Sequence, residues 1–522
     1  MSGTDAAAGA TRGRWWPLVA VSIAIFMLLI DITVVNVALP AIQSGLHATF
    51  SELEWVVNAY ALTLAAFQLT SGSLGDRLGR RWLFVAGIAL FAGASLGCGL
   101  APTAAVLDGL RAVQGVGGAV MYANTLALIS DNYVGRARAA AFGVWGAVSG
   151  VSVAVGPLVG GVLTTALSWR WIFFVNLPLA GCAIAISVFR LRSDRPDRAR
   201  RIDWAGLATF SAALGLLVYA LVEGNQVGWA SGEIIGLFVG AAALLAVFVV
   251  VELRIGQPML ELRFFRRPGF CGAQVGAFTI AATLYALFLY LTLYLQDVLG
   301  YSALGAGLRL LAISFLSFLA APLAGMLTDR VAFRFLISVA LGLTGAGLIL
   351  MHGVTPTSSW TALLVGFVVA GIGSGAVNPP VGSLAVGVVP RQAAGMGSGI
   401  NITFRQVGLA TGIAALGAIF QARITSLLAH RLPQLAPSQV AGLGRAVSSG
   451  GVHQVLRQVP PAARAQVAQA ARAAFVTGLN ELFLIAGVVA LAGGLACLVL
   501  IRQRDLLSGQ SPAAAPADRT RA

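Results

Sequence analysis

No lysine occurs among the 522 residues, and all 34 basic residues are arginine. The absence excludes chemistry as much as composition. A P-loop needs the lysine of Gly-x-x-x-x-Gly-Lys to hold nucleotide phosphates, and a Schiff-base enzyme needs an amine, so neither ATP-driven work of that kind nor amine catalysis is expected. Cysteine is equally scarce. Cys98, Cys182, Cys271 and Cys497 lie in four separate apolar runs, which offers neither a disulfide framework nor a CxxC metal site. No metal, cofactor or enzymatic activity is expected.

What fills the chain is apolar surface: 58% hydrophobic residues, 10% charged residues and a mean hydropathy of +0.86. Such a chain is an integral membrane protein, with the lipid bilayer as its solvent. The formal net charge of +15 raises the question of a nucleic-acid partner, but the arginines sit mostly in short loops between apolar runs and form no basic domain. The charge reads as topology, and no nucleic acid is expected.

Arg12 and Arg14 precede the first apolar run as they would in a signal peptide. The run is too long for one, contains Asp31 and is followed by no small-residue cleavage site, so it is a retained first span. Spans are expected at 16–40, 54–73, 82–101, 103–129, 139–163, 171–189, 204–221, 234–251, 270–295, 304–327, 333–351, 360–380, 395–421 and 475–500, fourteen in all. With the first segment inside, most arginines fall in cytoplasmic loops, and short outer loops hold only Arg170. The positive-inside rule then puts both termini in the cytoplasm of a cell-membrane protein. The outer loop 422–474 breaks the pattern with six arginines and no acid, which a long loop tolerates. Its stretch Arg464 to Thr477 has helical spacing and reads as an extension of the last span.

An internal repeat supplies the architecture. Gly72-Ser-Leu-Gly-Asp-Arg77 returns as Gly325-Met-Leu-Thr-Asp-Arg330, a shift of 253 residues that also carries Arg81 onto Arg334, Gly118 onto Gly371 and Arg138 onto Arg391. The chain is therefore expected to hold an N-terminal segment 1–15, a six-helix bundle 16–190, linkers and two inserted helices 191–269, a second six-helix bundle 270–501 and a tail 502–522. Parallel halves of this kind are a transporter architecture, with the substrate site at their interface near the midplane.

Asp31 is the residue that most needs explaining. It falls near the middle of the first span, where a carboxylate costs about 2.5–3.5 kcal/mol on insertion scales and persists only with a partner, water or a proton. Arg111 in the fourth span is the candidate partner. Asp31 lies about 22 Å from the inner end of its helix and Arg111 about 12 Å from the outer end of its own, at ~1.5 Å per residue. With a core of roughly 30 Å the two share a level. Opposing charge would keep Asp31 ionised until cargo or a proton arrives. The plainer alternative is a structural ion pair.

Several strings resemble those of a known family. Gly72-Ser-Leu-Gly-Asp-Arg-Leu-Gly-Arg-Arg81 closely resembles the loop 2–3 signature of the major facilitator superfamily, and Gly325 to Arg330 resembles its degenerate second copy. The resemblance implies a major facilitator fold, all-α, and a gating latch made by Gly72, Asp76, Arg77, Arg81, Asp329 and Arg330. Arg111-Ala-Val-Gln114-Gly115 resembles the fourth-helix signature of proton-coupled members, which implies a coupling role for Arg111. Gly143, Ser152, Gly156, Pro157, Gly160 and Gly161 resemble the antiporter motif, with Ser152 in place of a usual glycine; there the Gly-Pro segment is held to seal the leak path. Leu29-x-Asp31-x-Thr33-x-x-Asn36, Trp169 to Pro178 and Asn401-x-x-x-Arg405-Gln406 resemble signatures of the fourteen-span drug:proton antiporter branch.

On this basis the chain reads as a monomeric, proton-driven exporter of hydrophobic or amphipathic, often cationic, small molecules. Candidate cavity residues are Asp31, Asn36, Trp55, Tyr60, Gln114, Tyr122, Phe278, Tyr285 and Arg405, and Glu481 is the expected second proton site. Glu223, Asp297 and Arg309 rank lower because they lie close enough to the outer interface to reach water. With ~100 mV and one pH unit, one proton delivers roughly 3.7 kcal/mol against a neutral cargo. Exchange for a monovalent cation cancels the voltage and leaves about tenfold, so a cation exporter would need two protons per cycle. An exporter dedicated to one endogenous metabolite and a non-transporting sensor are the alternative readings.

Overall fold

The computed structural model describes residues 15–48, 50–133, 135–191, 203–255, 258, 260–328, 330–390, 393–448 and 461–502. The regular elements among them are all helical. In chain order they are α1 (Trp16–Leu46), α2 (Phe50–Leu78), α3 (Arg80–Leu100), α4 (Ala104–Asn132), α5 (Gly135–Ala166), α6 (Trp171–Arg190), α7 (Trp204–Val227) and α8 (Gly232–Arg254). They continue as α9 (Pro268–Val298), α10 (Ala303–Leu327), α11 (Phe333–Leu350), α12 (Leu364–Gly387), α13 (Ala394–Arg431), α14 (Pro437–Ser448) and α15 (Pro461–Leu500).

Local chemistry sets the ends. Prolines that lack an N–H occupy the first turns of α1 and α9. Side chains cap α4, α7, α8 and α10, where Thr103, Asp203, Ser231 and Ser302 accept from the backbone N–H three residues on. Twelve helices among the described residues are long and apolar enough to cross a membrane. The helices α2, of 29 residues, and α5, of 32, are not among those twelve and pack between them.

The repeat read from the loops is reproduced in the packing. In the first half α1 packs on α5 and α6, α2 on α4, and α3 on α4 and α6; in the second, α9 packs on α13 and α15, α10 on α12, and α11 on α12 and α15. The main contacts between halves, α5 with α10 and α2 with α13, exchange under the same correspondence. That is what a pseudo-two-fold interface demands. Each half has its own apolar core.

Of the two inserted helices, α7 lies against both α2 and α13, with Leu214 and Val218 packed on Ala65 and Val407. Thr70 and Ser211 share a hydrogen bond at 2.8 Å across α2 and α7. Beside α7, α8 leaves much of its apolar surface uncovered, as lipid contact requires.

The stretch 422–474 departs from its reading as a loop. Helix α13 continues unbroken to Arg431, the separate helix α14 (Pro437–Ser448) follows, and α15 begins at Pro461. An apolar-length criterion ends a span where charges begin, whereas a helix runs on into water as an amphipathic rod. The extension through Arg464 to Thr477 is helical as expected. The expected segment 1–15 and tail 502–522 lie almost wholly outside the described residues.

Candidate functional site

Two buried polar clusters stand out, one inside the first half and one between the halves. The first is built on α1 and α4. Arg111 and Gln114, at i and i+3, share one face of α4 and turn it toward Asp31. Arg111 Nη1 donates to Asp31 Oδ2 at 2.5 Å and to Gln114 Oε1 at 2.8 Å, while its Nε donates to the Val56 carbonyl at 2.9 Å. Asp31 Oδ1 accepts from Gln114 Nε2 at 3.0 Å and from Asn176 Nδ2 at 3.2 Å. Ser95 completes the ring, accepting from Asn176 at 3.0 Å and donating to the Phe173 carbonyl at 2.9 Å. Tyr60 covers the cation, with Arg111 Cζ 4.2 Å from its ring centroid.

Both members of the ion pair are 1% exposed. Burial on that scale costs several kcal/mol per ion, and only multiple hydrogen bonds offset it. Here Arg111 donates three and Asp31 accepts three.

Glycines allow the helices to approach. A Cβ on Gly115 would fall 2.1 Å from Thr63 Oγ1 and 2.5 Å from the Tyr60 carbonyl, so α4 can lie on α2 only without one. On α5, a Cβ on Gly156 would fall 1.7 Å from Thr33 Oγ1, two residues from Asp31, and one on Gly160 would fall 3.0 Å from the Val34 carbonyl. The glycines of the expected antiporter motif thus seat α1 on α5. Gly143 faces the other way, 2.8 Å by the same measure from Pro322 on α10, and Gly161 meets nothing within 4 Å. Ser152 is buried and donates to the Val148 carbonyl at 2.6 Å.

The second cluster joins the halves. Arg405 on α13 donates from Nη1 to Asn378 Oδ1 at 2.8 Å and lies with Cζ 5.4 Å from the ring centroid of Trp145 on α5. Asn378 precedes Pro379 and Pro380 in α12 and donates to Tyr285 Oη at 2.9 Å. Tyr285 ends a π-helical turn, Ala281–Tyr285, whose extra residue re-aims it. Tyr122 stacks on Trp145 with centroids 6.3 Å apart.

At the α2–α3 end, a Cβ on Gly72 would fall 2.5 Å from the Gly395 carbonyl and 3.1 Å from Gly399 Cα, so this glycine lets the halves touch. Ser398 Oγ donates across the same seam to the Ala123 carbonyl at 2.7 Å. Arg77 donates to the Pro258 carbonyl at 3.3 Å, Arg81 to the Val188 carbonyl, and Arg80 pairs with Asp131. Arg330 is exposed. Asp329 and the side chains of Asn36, Asp76 and Pro157 lie outside the described residues.

The structure therefore brings together Asp31, Arg111, Gln114 and Tyr60, and separately Arg405, Tyr285 and Tyr122. It leaves Trp55 stacked on Tyr219 of α7 at 5.7 Å, and Phe278 with its backbone under Gly408. Glu481 is placed apart from Asp31. It sits on α15, paired with Arg423 at 3.1 Å, with the two side chains 39% and 44% exposed. Sequence reasoning missed Ser95, Asn378 and Trp145 and gave Asn176 no role. An asparagine inside an apolar run, as in Asn378-Pro-Pro, is the signal that was there to use.

Two repeated helical bundles, with a buried ion pair in one and a cation between them, are a transporter architecture. Comparison with known proteins gives the family. The Major Facilitator Superfamily profile matches residues 21–452, and the chain belongs to that family. It is 35% identical over 430 residues to the multidrug resistance protein Stp of Mycobacterium tuberculosis, covering 82% of this chain and 80% of that one. It is 30% identical over 498 residues to the tetracenomycin C resistance and export protein of Streptomyces glaucescens, covering 94% and 92%. Among solved structures, the human organic anion transporter MFSD10 (TETRAN) superposes with a TM-score of 0.58 at 14% identity, covering 91% of this chain and 99% of that one. That likeness shows the fold. The chain is thus a multi-pass membrane transporter of the superfamily, related to drug efflux proteins.

Proposed function

We propose that the protein is a proton-coupled drug exporter of the cell membrane, with fourteen spans, both termini in the cytoplasm and two bundles that rock about the seam between them. Helices α2 and α5 supply the two further spans: 29 and 32 residues at ~1.5 Å each exceed a 30 Å core. The relatives are named for multidrug resistance and for tetracenomycin C resistance and export, which supports drugs as the cargo class; we read that class as hydrophobic or amphipathic small molecules.

One observation carries the coupling: the Asp31–Arg111 pair, 1% exposed on both sides, its hydrogen bonds joining α1, α2, α4 and α6 and reaching α3 through Asn176 and Ser95. Protonating Asp31 removes the charge that holds Arg111, and the guanidinium must then find other acceptors. A two-state rearrangement of α1 against α4 is the motion this would drive.

Everted vesicles carrying the protein test the reading. An imposed pH gradient should drive accumulation of a hydrophobic dye, and Asp31→Asn should reduce that accumulation at least tenfold while leaving dye binding in place. Full gradient-driven accumulation by the variant would refute the coupling. Extending the assay to a panel of dyes separates a broad exporter from one dedicated to a single metabolite, a reading the tetracenomycin relative favours.

A further inference from the structure

We infer that Arg405 is a cargo-binding residue, and that the group it takes is a carboxylate or a similar paired-oxygen anion carried on an aromatic body. The inference rests on the exporter reading and names its substrate class.

Arg405 is 7% exposed, yet Nε and Nη2 are buried with no hydrogen-bond partner among the described residues. Among the described residues the guanidinium donates from Nη1, to Asn378 Oδ1 at 2.8 Å. The idle pair is not arbitrary. Nε–H and the adjacent Nη2–H are parallel within the guanidinium plane and form the side-on fork that matches the two oxygens of a carboxylate. A buried cation with two unmet donors is expensive to keep, and an incoming anion relieves that cost.

The surroundings fit such a guest. Trp145, 5.4 Å from Arg405 Cζ, comes from the opposite half, and Tyr122 stacks on it, so an aromatic face adjoins the fork. Asn378 is itself held by Tyr285 and by the Ser374 carbonyl, which fixes the guanidinium before cargo arrives.

The opposite choice, a cationic cargo, lacks a receptor in the acid expected to hold it. Asp31 is already met by Arg111, Gln114 and Asn176. Energetics agree. With the gradients taken above, one proton in against one monoanion out moves two charges down the voltage and supports a gradient of about 10⁴, whereas one proton against a monocation supports only about tenfold. A single buried acid suffices for an anion.

The probes are three compounds with one ring system: 9-anthracenecarboxylate, the neutral 9-anthracenemethanol and the cationic 9-(aminomethyl)anthracene. Equilibrium dialysis with the purified full-length protein should show the carboxylate bound at least tenfold tighter than the cation. Arg405→Gln should weaken the carboxylate 10- to 100-fold and change the neutral alcohol less than twofold, which also reports that the variant is folded. Arg405→Lys, which keeps the charge but loses the fork, should recover less than a third of the loss on a logarithmic scale. Equal binding of cation and carboxylate, no carboxylate binding, or an equal loss of all three probes in Arg405→Gln would overturn the inference. Proteoliposomes separate it from the reading beneath: carboxylate-selective binding with no gradient-driven movement of any probe sinks the exporter and leaves the anion site. Gradient-driven movement without carboxylate preference does the reverse.

Discussion

Arg111 Nη1 and Asp31 Oδ2 meet at 2.5 Å with both side chains 1% exposed, while the other contacts of each belong to the same first half of the chain. A pair so enclosed is costly to break from one side only. Asp31→Asn leaves the guanidinium uncompensated and is expected to destabilise the protein by about 3 kcal/mol, as for other buried pairs. Adding Arg111→Gln should return at least half of that stability, because neither charge then remains, without restoring gradient-driven transport. Thermal unfolding in detergent together with vesicle transport reads both. Transport restored along with stability would make the pair a structural tie and not a coupling device.

The glycines of α5 predict opposite outcomes from one substitution. Gly156→Ala puts a methyl 1.7 Å from Thr33 Oγ1, so α1 must move off α5, and overpacking of this kind costs about 1–3 kcal/mol. Transport should fall at least tenfold, since Thr33 lies two residues from Asp31. Gly161→Ala meets nothing within 4 Å and should leave transport within twofold, with stability unchanged or raised by up to about 1 kcal/mol from better helix propensity. Parallel expression, melting and transport of the two variants checks the contrast.

This contrast also shows what was legible beforehand. Asp31 and Arg111 could be paired from sequence because charges within apolar runs are conspicuous and helix rise converts position into depth. The repeat was legible because loops keep their glycine and charge pattern when spans drift. Ser95, Asn176 and Asn378 were not, because neutral polar residues are common in spans and their partners depend on helix rotation. Tyr285 meets Asn378 through a π-helical turn that no periodicity announces. Gly156 and Gly161 look alike in a motif, and only packing separates the one under Thr33 from the one facing open space.

Glu481 offers a test of stoichiometry. It is the expected second proton site, and it sits more than a third exposed beside Arg423 at 3.1 Å. Exposed pairs of this kind contribute about 0–1 kcal/mol. Glu481→Gln should therefore leave gradient-driven transport within twofold and melting within about 1 kcal/mol. Loss of coupling in this variant would support two protons per cycle, and with them a cationic cargo.

The seam between the halves gives the last prediction. Gly72 on α2 faces Gly395 and Gly399 on α13, and Ser398 reaches the Ala123 carbonyl at 2.7 Å across the same contact. Gly72→Ala would place a methyl 2.5 Å from the Gly395 carbonyl, a backbone atom that cannot swing aside, so the halves must part there. Ser398→Ala removes one hydrogen bond, worth about 1 kcal/mol, without a clash. Both bias the two-half equilibrium in the same direction, the alanine at Gly72 more strongly. Amide hydrogen exchange should quicken in the first turns of α13 in both variants, by more in Gly72→Ala, with α15 unchanged as the internal reference. A uniform rise across all helices would mean that the substitution loosens the whole bundle and that this end is no latch.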